Sequence, residues 1–297
     1  MKKIQLGKSS LEVSVLGLGG INFGTKTKED DAFALLDTYY SMGGNFIDTS
    51  NNYAVWNGGD GGESERVIGK WLQKRRVRKN IIVATKLGAL PKDATSGFDN
   101  MQGLSKEVII SAVQKSLENL QSDYIDLLYL HVDDFSTPQL EVMSTLNELI
   151  QKGIIREIAC SNFYTWRIES ARKICEDNNY RFFCAVQQRY SYLAPTMDAD
   201  LFPQVAVNRD MISYLKYYND LTLVAYSPLL KGQYNRDDIE KEEYQTNSNK
   251  RNLEDLRKQS SNPNAWVMNY IINSFTNSVA LLTTSNVEHL KQMIEAI

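Results

Sequence analysis

The chain has 297 residues, 42% of them hydrophobic, enough for a sizeable core in one large domain or two small ones. Thirty-three basic against 36 acidic residues leave a net charge of −3, which excludes any general electrostatic pull toward nucleic acid or an anionic membrane. Cys160, Cys175 and Cys184 show no CxxC spacing, so neither a disulfide framework nor a zinc site is expected, and they read as reduced thiols of a cytoplasmic protein. The apolar residues of the opening segment are interrupted by Ser9, Ser10 and Glu12, unlike a signal-peptide core, and no run reaches the length of a membrane span.

KIQL and LEVSV, separated by Gly7 to Ser10, are predicted to form a hairpin, and VLGLGG follows as the first buried strand. Ala32, Leu35, Leu36 and Tyr39 then keep helical spacing, with Thr27 as the expected N-cap and Gly43-Gly44 as the stop. That helix leads into NFIDT. Val67, Ile68, Trp71 and Leu72 mark a second helix before the strand IIVATK; Ile109, Ala112, Val113 and Leu117 mark a third before YIDLLYLH. Pro138 is expected at the first position of a helix that Gly153 ends. IIREIACSN, FFCAVQ, LTLVAYSP and VALLTT complete eight strand-like runs, interleaved with helices at Trp166 to Cys175, Met211 to Tyr218 and Ala265 to Phe275, and closed by Asn286 to Ile297. Eight strand and helix repeats in one chain predict a single (β/α)8 TIM barrel over residues 1–297 with an N-terminal β-hairpin. LGLGG has no third glycine opening a helix, so a dinucleotide-binding fingerprint of the doubly wound kind is missing.

In such a barrel the C-terminal strand ends converge on one face. Asp48 stands at the end of NFIDT, Tyr53 just beyond it, Lys86 at the end of IIVATK and His131 at the end of YIDLLYLH. Alone, each is more ordinary as a surface tyrosine, a solvated strand end, a turn cap or a core histidine. Gathered, they form a proton-transfer set: Tyr53 protonates a carbonyl oxygen, Lys86 lowers the tyrosine pKa, Asp48 keeps Lys86 charged, and His131 aligns the substrate oxygen. The glycine-rich stretch Asn51 to Gly62 and the charged stretch Lys231 to Lys250 are expected as loops over that face, and Trp56 as a wall of the substrate pocket. KRRVRK at 74 to 79 reads as cations at a helix end rather than a nucleic-acid patch, Asp133-Asp134 as a loop pair rather than a metal site, and Trp166 and Phe182-Phe183 as packing residues.

GLGGINFG (17–24), NFIDTSNNY (45–53), GGESERVIGKWL (61–72), ATK (84–86), SDYIDLLYLH (122–131), GIIREIACSN (153–162), VQQRYSYL (186–193) and AYSPL (225–229) together resemble the aldo-keto reductase family over nearly the whole chain. The resemblance implies Asp48, Tyr53, Lys86 and His131 as the catalytic set of an NAD(P)H-dependent oxidoreductase that reduces aldehydes or ketones, or runs in reverse, with no metal. It implies further that Ser161, Asn162 and Gln187 hold the nicotinamide carboxamide, Tyr226 stacks on the ring, and Ser227 and the loop at Leu229 touch the pyrophosphate. Ser285, His289 and Gln292 would contact the adenosine end, with NADP(H) ahead of NAD(H). The partner would be a small carbonyl or alcohol. With no tail beyond Ile297 to cap the barrel, an open pocket of broad specificity is expected. A Schiff-base aldolase using Lys86, and a non-catalytic relative that senses cofactor while docking a partner, are the alternatives.

Overall fold

β1 (Lys3–Gln5) and β2 (Glu12–Ser14) pair antiparallel as the expected hairpin in the computed structural model, which describes residues 1–93, 97–275 and 277–297. Eight strands then close a parallel barrel: β3 (Leu16–Gly19), β4 (Phe46–Asp48), β5 (Ile82–Leu87), β6 (Ile125–Leu130), β7 (Ile155–Ser161), β8 (Ala185–Arg189), β9 (Thr222–Tyr226) and β10 (Ser278–Leu282), with β10 pairing to both β9 and β3. Between consecutive strands from β3 to β9 run α1 (Glu29–Ser41), α2 (Glu63–Arg75), α3 (Lys106–Leu120), α4 (Gln139–Gln151), α5 (Thr165–Asn178) and α6 (Arg209–Tyr218). Two helices, α7 (Asn247–Gln259) and α8 (Pro263–Ile272), separate β9 from β10, and α9 (Val287–Glu295) follows β10.

The strands read as continuous apolar runs because both their faces are buried. Inside the barrel Phe46, Ala84, Leu127, Tyr129, Ala159, Val224 and Val279 pack together, and Leu6, Leu11 and Val13 of the hairpin join them. Gly7 N–H donates to Thr222 Oγ1 at the start of β9 (2.8 Å), so the hairpin plugs the N-terminal end of the barrel. Only the C-terminal mouth is left for chemistry. Outside the barrel Leu36, Ile68, Trp71, Ile109, Leu146, Ile168 and Ile271 bury the helix stripes against the strands, each side chain contributing about 1.5–3 kcal/mol of hydrophobic stabilisation.

Several boundaries differ from expectation for local reasons. Lys28, not Thr27, occupies the N-cap of α1, and Glu29, Asp30 and Asp31 supply the acidic first turn that favours a helix start. Pro138 is the N-cap of α4 and not its first residue. The sixth barrel strand begins at Ala185; Phe182 and Phe183 precede it, their rings tilted at 45° with centroids 5.3 Å apart. Trp166 is not a packing residue: it is 60% exposed and lies beside the equally open Phe135 with the Arg167 guanidinium 5.6 Å from its ring centroid. Residues of the expected loop 231–250 enter α7, whose apolar stripe is only Leu253 and Leu256, too thin to register as helical periodicity. In the KRRVRK run, Arg75 pairs with Asp37 (2.6 Å) and Arg78 with Asp126 (2.6 Å), while Asp133 is held by Arg167 (2.7 Å) as part of a loop.

Tyr39 ties the first repeat together. Its hydroxyl lies 2.7 Å from Ser14 Oγ and 2.6 Å from the Leu16 carbonyl, and it accepts from Phe46 N–H at 3.2 Å, linking hairpin, β3 and β4. Gly44 makes room for it, since a Cβ there would stand 2.4 Å from the ring. Replacing Tyr39 with Phe leaves these buried partners unsatisfied and should cost about 1–3 kcal/mol in urea unfolding with the substrate KM unchanged; unaltered stability would contradict this role.

Candidate active site

Lys86 is a fully buried charge. It sits on β5 with no solvent exposure and spends all three ammonium protons: on Asp48 Oδ1 (2.5 Å), the Thr49 carbonyl (2.8 Å) and the Tyr53 hydroxyl (2.9 Å). Asp48, at the end of β4, is adjacent because β4 and β5 pair in the register Asp48↔Ala84 and their inward side chains meet one step further on. The Tyr53 hydroxyl donates to Asp48 Oδ1 (3.2 Å), and Gln187 Nε2 donates to Asp48 Oδ2 (2.8 Å). Three strands and one turn therefore converge on a single carboxylate. A buried ion pair requires such surrounding hydrogen bonds to offset the desolvation of both charges.

His131 follows β6 and faces Tyr53 edge-on, with ring centroids 6.2 Å apart. Ser50 Oγ lies 3.1 Å from its Nδ1 and 2.8 Å from Asn52 Oδ1. The serine proton sets the imidazole tautomer: donated to Asn52 Oδ1, it leaves Oγ to accept from Nδ1–H, and turned to Nδ1 it leaves Nε2–H for a substrate oxygen. Burial, then the charge of Lys86, pushes the His131 pKa well below its usual value, so the ring is neutral.

The electrostatics of Tyr53 correct the sequence expectation. Its pKa is pushed well above 10, first by burial and then by the charge and hydrogen bond of Asp48. Burial likewise lowers the Lys86 pKa, opposed by the charge of Asp48. Lys86 was expected to acidify the phenol, but burial, seconded by the Asp48 carboxylate, raises its pKa instead. Tyr53 is a phenol that keeps its proton, which suits a donor to a strongly basic oxygen.

A cavity of about 880 Å³ opens at the C-terminal mouth, lined by Asp48, Tyr53, Trp56, His131, Ser161, Asn162, Gln187, Tyr226 and Ser227 among others. Asn162 Nδ2 donates to the His131 carbonyl (2.9 Å) and to Ser161 Oγ (3.1 Å), and its Oδ1 accepts from the Tyr226 hydroxyl (2.7 Å), so it braces Tyr226 from behind. Trp56 stands edge-on to Tyr53 at 6.2 Å with Phe98 beyond it at 6.4 Å. Leu229, Ser285, His289 and Gln292 are not among the residues lining the cavity; Ser285 lies exposed just before α9, and His289 and Gln292 lie exposed on it. Met293, the next residue, is buried in the outer core.

Part of the wall was not expected. The segment from Thr196 to Gln204 after β8 lines much of the mouth, and it carries no apolar period, so nothing in the sequence singles it out. Glu242 and Glu243, which line the mouth beside it, belong to the expected loop 231–250. Ser50, Asn52 and Arg189 were also missed, although each is within three residues of an expected site residue. Within the loop 88–102, Gly97 to Gln102 and the residues up to Asp93 are described; 94–96 lie outside the described residues.

The donor set suits a nicotinamide. A flat ring bearing a carboxamide needs amide and hydroxyl partners beside an aromatic face, and Ser161, Gln187 and Tyr226 are groups of those kinds in the cavity lining. No group of three or more His, Cys, Asp or Glu among the described residues could hold a metal ion, and no helix of the described residues is long and apolar enough to cross a membrane.

Fold and site define a parallel eight-stranded barrel with an Asp–Tyr–Lys–His cluster at its mouth. A family model described as the Aldo/keto reductase family matches residues 15–297, and the chain belongs to that family. An aryl-alcohol dehydrogenase of Pestalotiopsis microspora is 35% identical over 203 residues, covering 66% of this chain and 51% of the relative. Norsolorinic acid reductase B of Dothistroma septosporum is 34% identical over 204 residues, covering 66% of this chain and 50% of its own. The chain thus spans about half the length of these curated relatives. Among solved structures, aldo-keto reductase AKR11C1 from Bacillus halodurans in its holo form superposes with a TM-score of 0.76 at 28% identity, covering 100% of this chain and 90% of that one.

The neutral state of His131 has a measurable sign. The unfolded chain binds a proton below about pH 6.5 that the folded imidazole refuses. Its contribution to stability is therefore present above that pH and lost as pH falls. His131→Gln should flatten the acid-side decline in unfolding free energy, and the wild-type ring resonances should not titrate across the usual histidine range; ordinary titration of the ring would contradict the assignment.

Proposed function

We propose that the chain is a nicotinamide-dependent carbonyl reductase in which Tyr53 is the proton donor. The observation that carries this reading is Lys86 Nζ, 2.5 Å from Asp48 and 2.9 Å from a Tyr53 hydroxyl that lines the cavity. A reduced nicotinamide, when bound, supplies the two electrons and the hydrogen that reduce the carbonyl carbon. Ser161, Gln187 and Tyr226 would hold it, with Asn162 fixing Tyr226.

The residues of the chain handle the proton. His131, neutral, orients the carbonyl oxygen toward Tyr53. As negative charge develops on that oxygen it approaches the basicity of hydroxide, whose conjugate acid has a pKa of about 15.7. Even a phenol with a raised pKa then transfers its proton readily. The phenol hydrogen turns from Asp48 to the substrate, and the Lys86 ammonium, fixed 2.9 Å away, stabilises the phenolate left behind. In the reverse direction the same phenolate accepts the proton of an alcohol.

Lys86 argues against the aldolase reading. A Schiff-base lysine must present a free amine to the substrate, whereas this one is buried beneath Tyr53 with every proton engaged. The aromatic walls Trp56 and Phe98 favour flat aromatic aldehydes and ketones, a class consistent with the name of the aryl-alcohol relative. We infer a protein that works in the cytoplasm on such small molecules.

NADP(H) remains the cofactor expected of the family, but the start of α9 offers its extra phosphate little. His289 and Gln292 are exposed there, and Lys291 is engaged by Glu288 at 2.8 Å. An arginine fork, the usual partner for a phosphate, is missing from that turn. The ratio of kcat/KM with NADPH to that with NADH should therefore fall below about tenfold, equivalent to about 1.4 kcal/mol; a ratio of several hundred would contradict the assignment of this surface.

Tyr53→Phe should lower kcat by about 10²–10⁴-fold while cofactor affinity, read by quenching of protein fluorescence, stays at the wild-type level. Turnover undiminished in this variant would overturn the proposal.

A further inference from the structure

Arg189, the last residue of β8, is 6% exposed and lines the catalytic cavity, yet no part of the proposed reaction uses it. It points the same way as Gln187, two residues earlier on the strand, and so stands one step nearer the mouth than the amide that touches Asp48. Its register partner is Tyr226. The guanidinium donates through Nη1 to Gln204 Oε1 (3.1 Å) and through Nη2 to Glu243 Oε1 (3.1 Å), and it lies over the Tyr244 ring at 5.2 Å. Its Nε–H is buried without a partner.

A buried arginine with an unused donor is costly, because guanidinium hydrogens left unpaired away from water lose hydration with no return. Its one ion pair among the described residues is with Glu243, whose carboxylate is itself 3.4 Å from Lys241 Nζ. Both anchors come from the two segments that cross the mouth: Gln204 from the stretch after β8, Glu243 from the turn after β9. Those segments are joined by Thr196 N–H donating to the Glu243 carbonyl (2.8 Å). The planar fork of arginine matches an oxyanion held by two parallel hydrogen bonds.

We propose that Arg189 is an oxyanion-binding residue of the ligand cavity and that Glu243 holds the place of the ligand's oxyanion in the ligand-free chain. On binding, the ligand oxyanion takes the fork and the free Nε–H, and Glu243 moves to its second partner, Lys241. The oxyanion is either a phosphate oxygen of the dinucleotide or a carboxylate borne by the carbonyl substrate. This inference rests on the carbonyl-reductase reading of the same cavity.

The test compares wild type, Arg189→Gln and Glu243→Gln. Calorimetry gives the affinity for ADP-ribose, NADH and NADPH without turnover, and kinetics give the ratio of kcat/KM for 4-carboxybenzaldehyde to that for its methyl ester. If the phosphate is the ligand group, Arg189→Gln weakens ADP-ribose and both cofactors about tenfold or more and leaves the acid-to-ester ratio alone. If the substrate carboxylate is, that ratio falls by a similar factor and ADP-ribose binds as before. In either case Glu243→Gln, which removes the competitor, strengthens the same interaction several-fold. Affinities and ratios unmoved by Arg189→Gln, or both variants weakening binding in parallel as a merely structural pair would, overturn the proposal. Should Arg189→Gln fail to fold, Glu243→Gln decides alone: tightening supports it, and no change or weakening overturns it. A wild-type protein that turns over neither aldehyde with either cofactor defeats the reductase reading instead, and the ADP-ribose titration still decides Arg189.

Discussion

A charge with no route to water governs this molecule. Lys86 lies inside the barrel wall, and desolvation of an ammonium there is tolerable only because Asp48, the Thr49 carbonyl and the Tyr53 hydroxyl take its three protons. That requirement fixes more than a catalytic group. It needs β4 and β5 side by side, a tight turn after β4 to bring Tyr53 back over Lys86, and β8 across the barrel to deliver Gln187 to the remaining oxygen of Asp48. Closure of the barrel supplies all three at once, and the hairpin plug at the far end leaves the cluster a single approach.

The same network sets the protonation of its neighbours. Tyr53 stays protonated because burial and Asp48 outweigh Lys86, and His131 stays neutral because burial and Lys86 both oppose its charge. A neutral donor and a neutral orienting group face the cavity beside Asp48, with the Lys86 ammonium behind them. Charge is thereby available to the oxygen only as it becomes basic, which is the differential stabilisation a catalyst needs.

The barrel was legible from the chain because parallel strands buried on both faces leave unbroken apolar runs such as IIVA and IDLLYL, and the clustering of Asp48, Lys86 and His131 was legible because they terminate or directly follow such runs. What escaped was whatever lacks a period. α7 has two apolar contacts in a charged sequence, Trp166 looks like packing until its surface position is known, and the stretch from Thr196 to Gln204 lines the mouth through loop geometry alone. The direction of the Tyr53 pKa was misjudged for a related reason. Pairing Lys86 with Tyr53 could be inferred from strand ends, but the 3.2 Å contact between Tyr53 and Asp48 is a distance within a turn, and no spacing encodes it. Arg189 was in plain view within VQQRYSYL, yet its burial and unpaired nitrogen are properties of the folded chain.

A buried lysine that holds the proton donor, and does not bind substrate, acts on the chemical step alone. Single-turnover oxidation of bound reduced cofactor by saturating aldehyde, compared between wild type and Lys86→Met, addresses it directly. In Lys86→Met the chemical step should slow by about 10²–10⁴-fold with cofactor affinity retained. A chemical step of wild-type speed in Lys86→Met would contradict it.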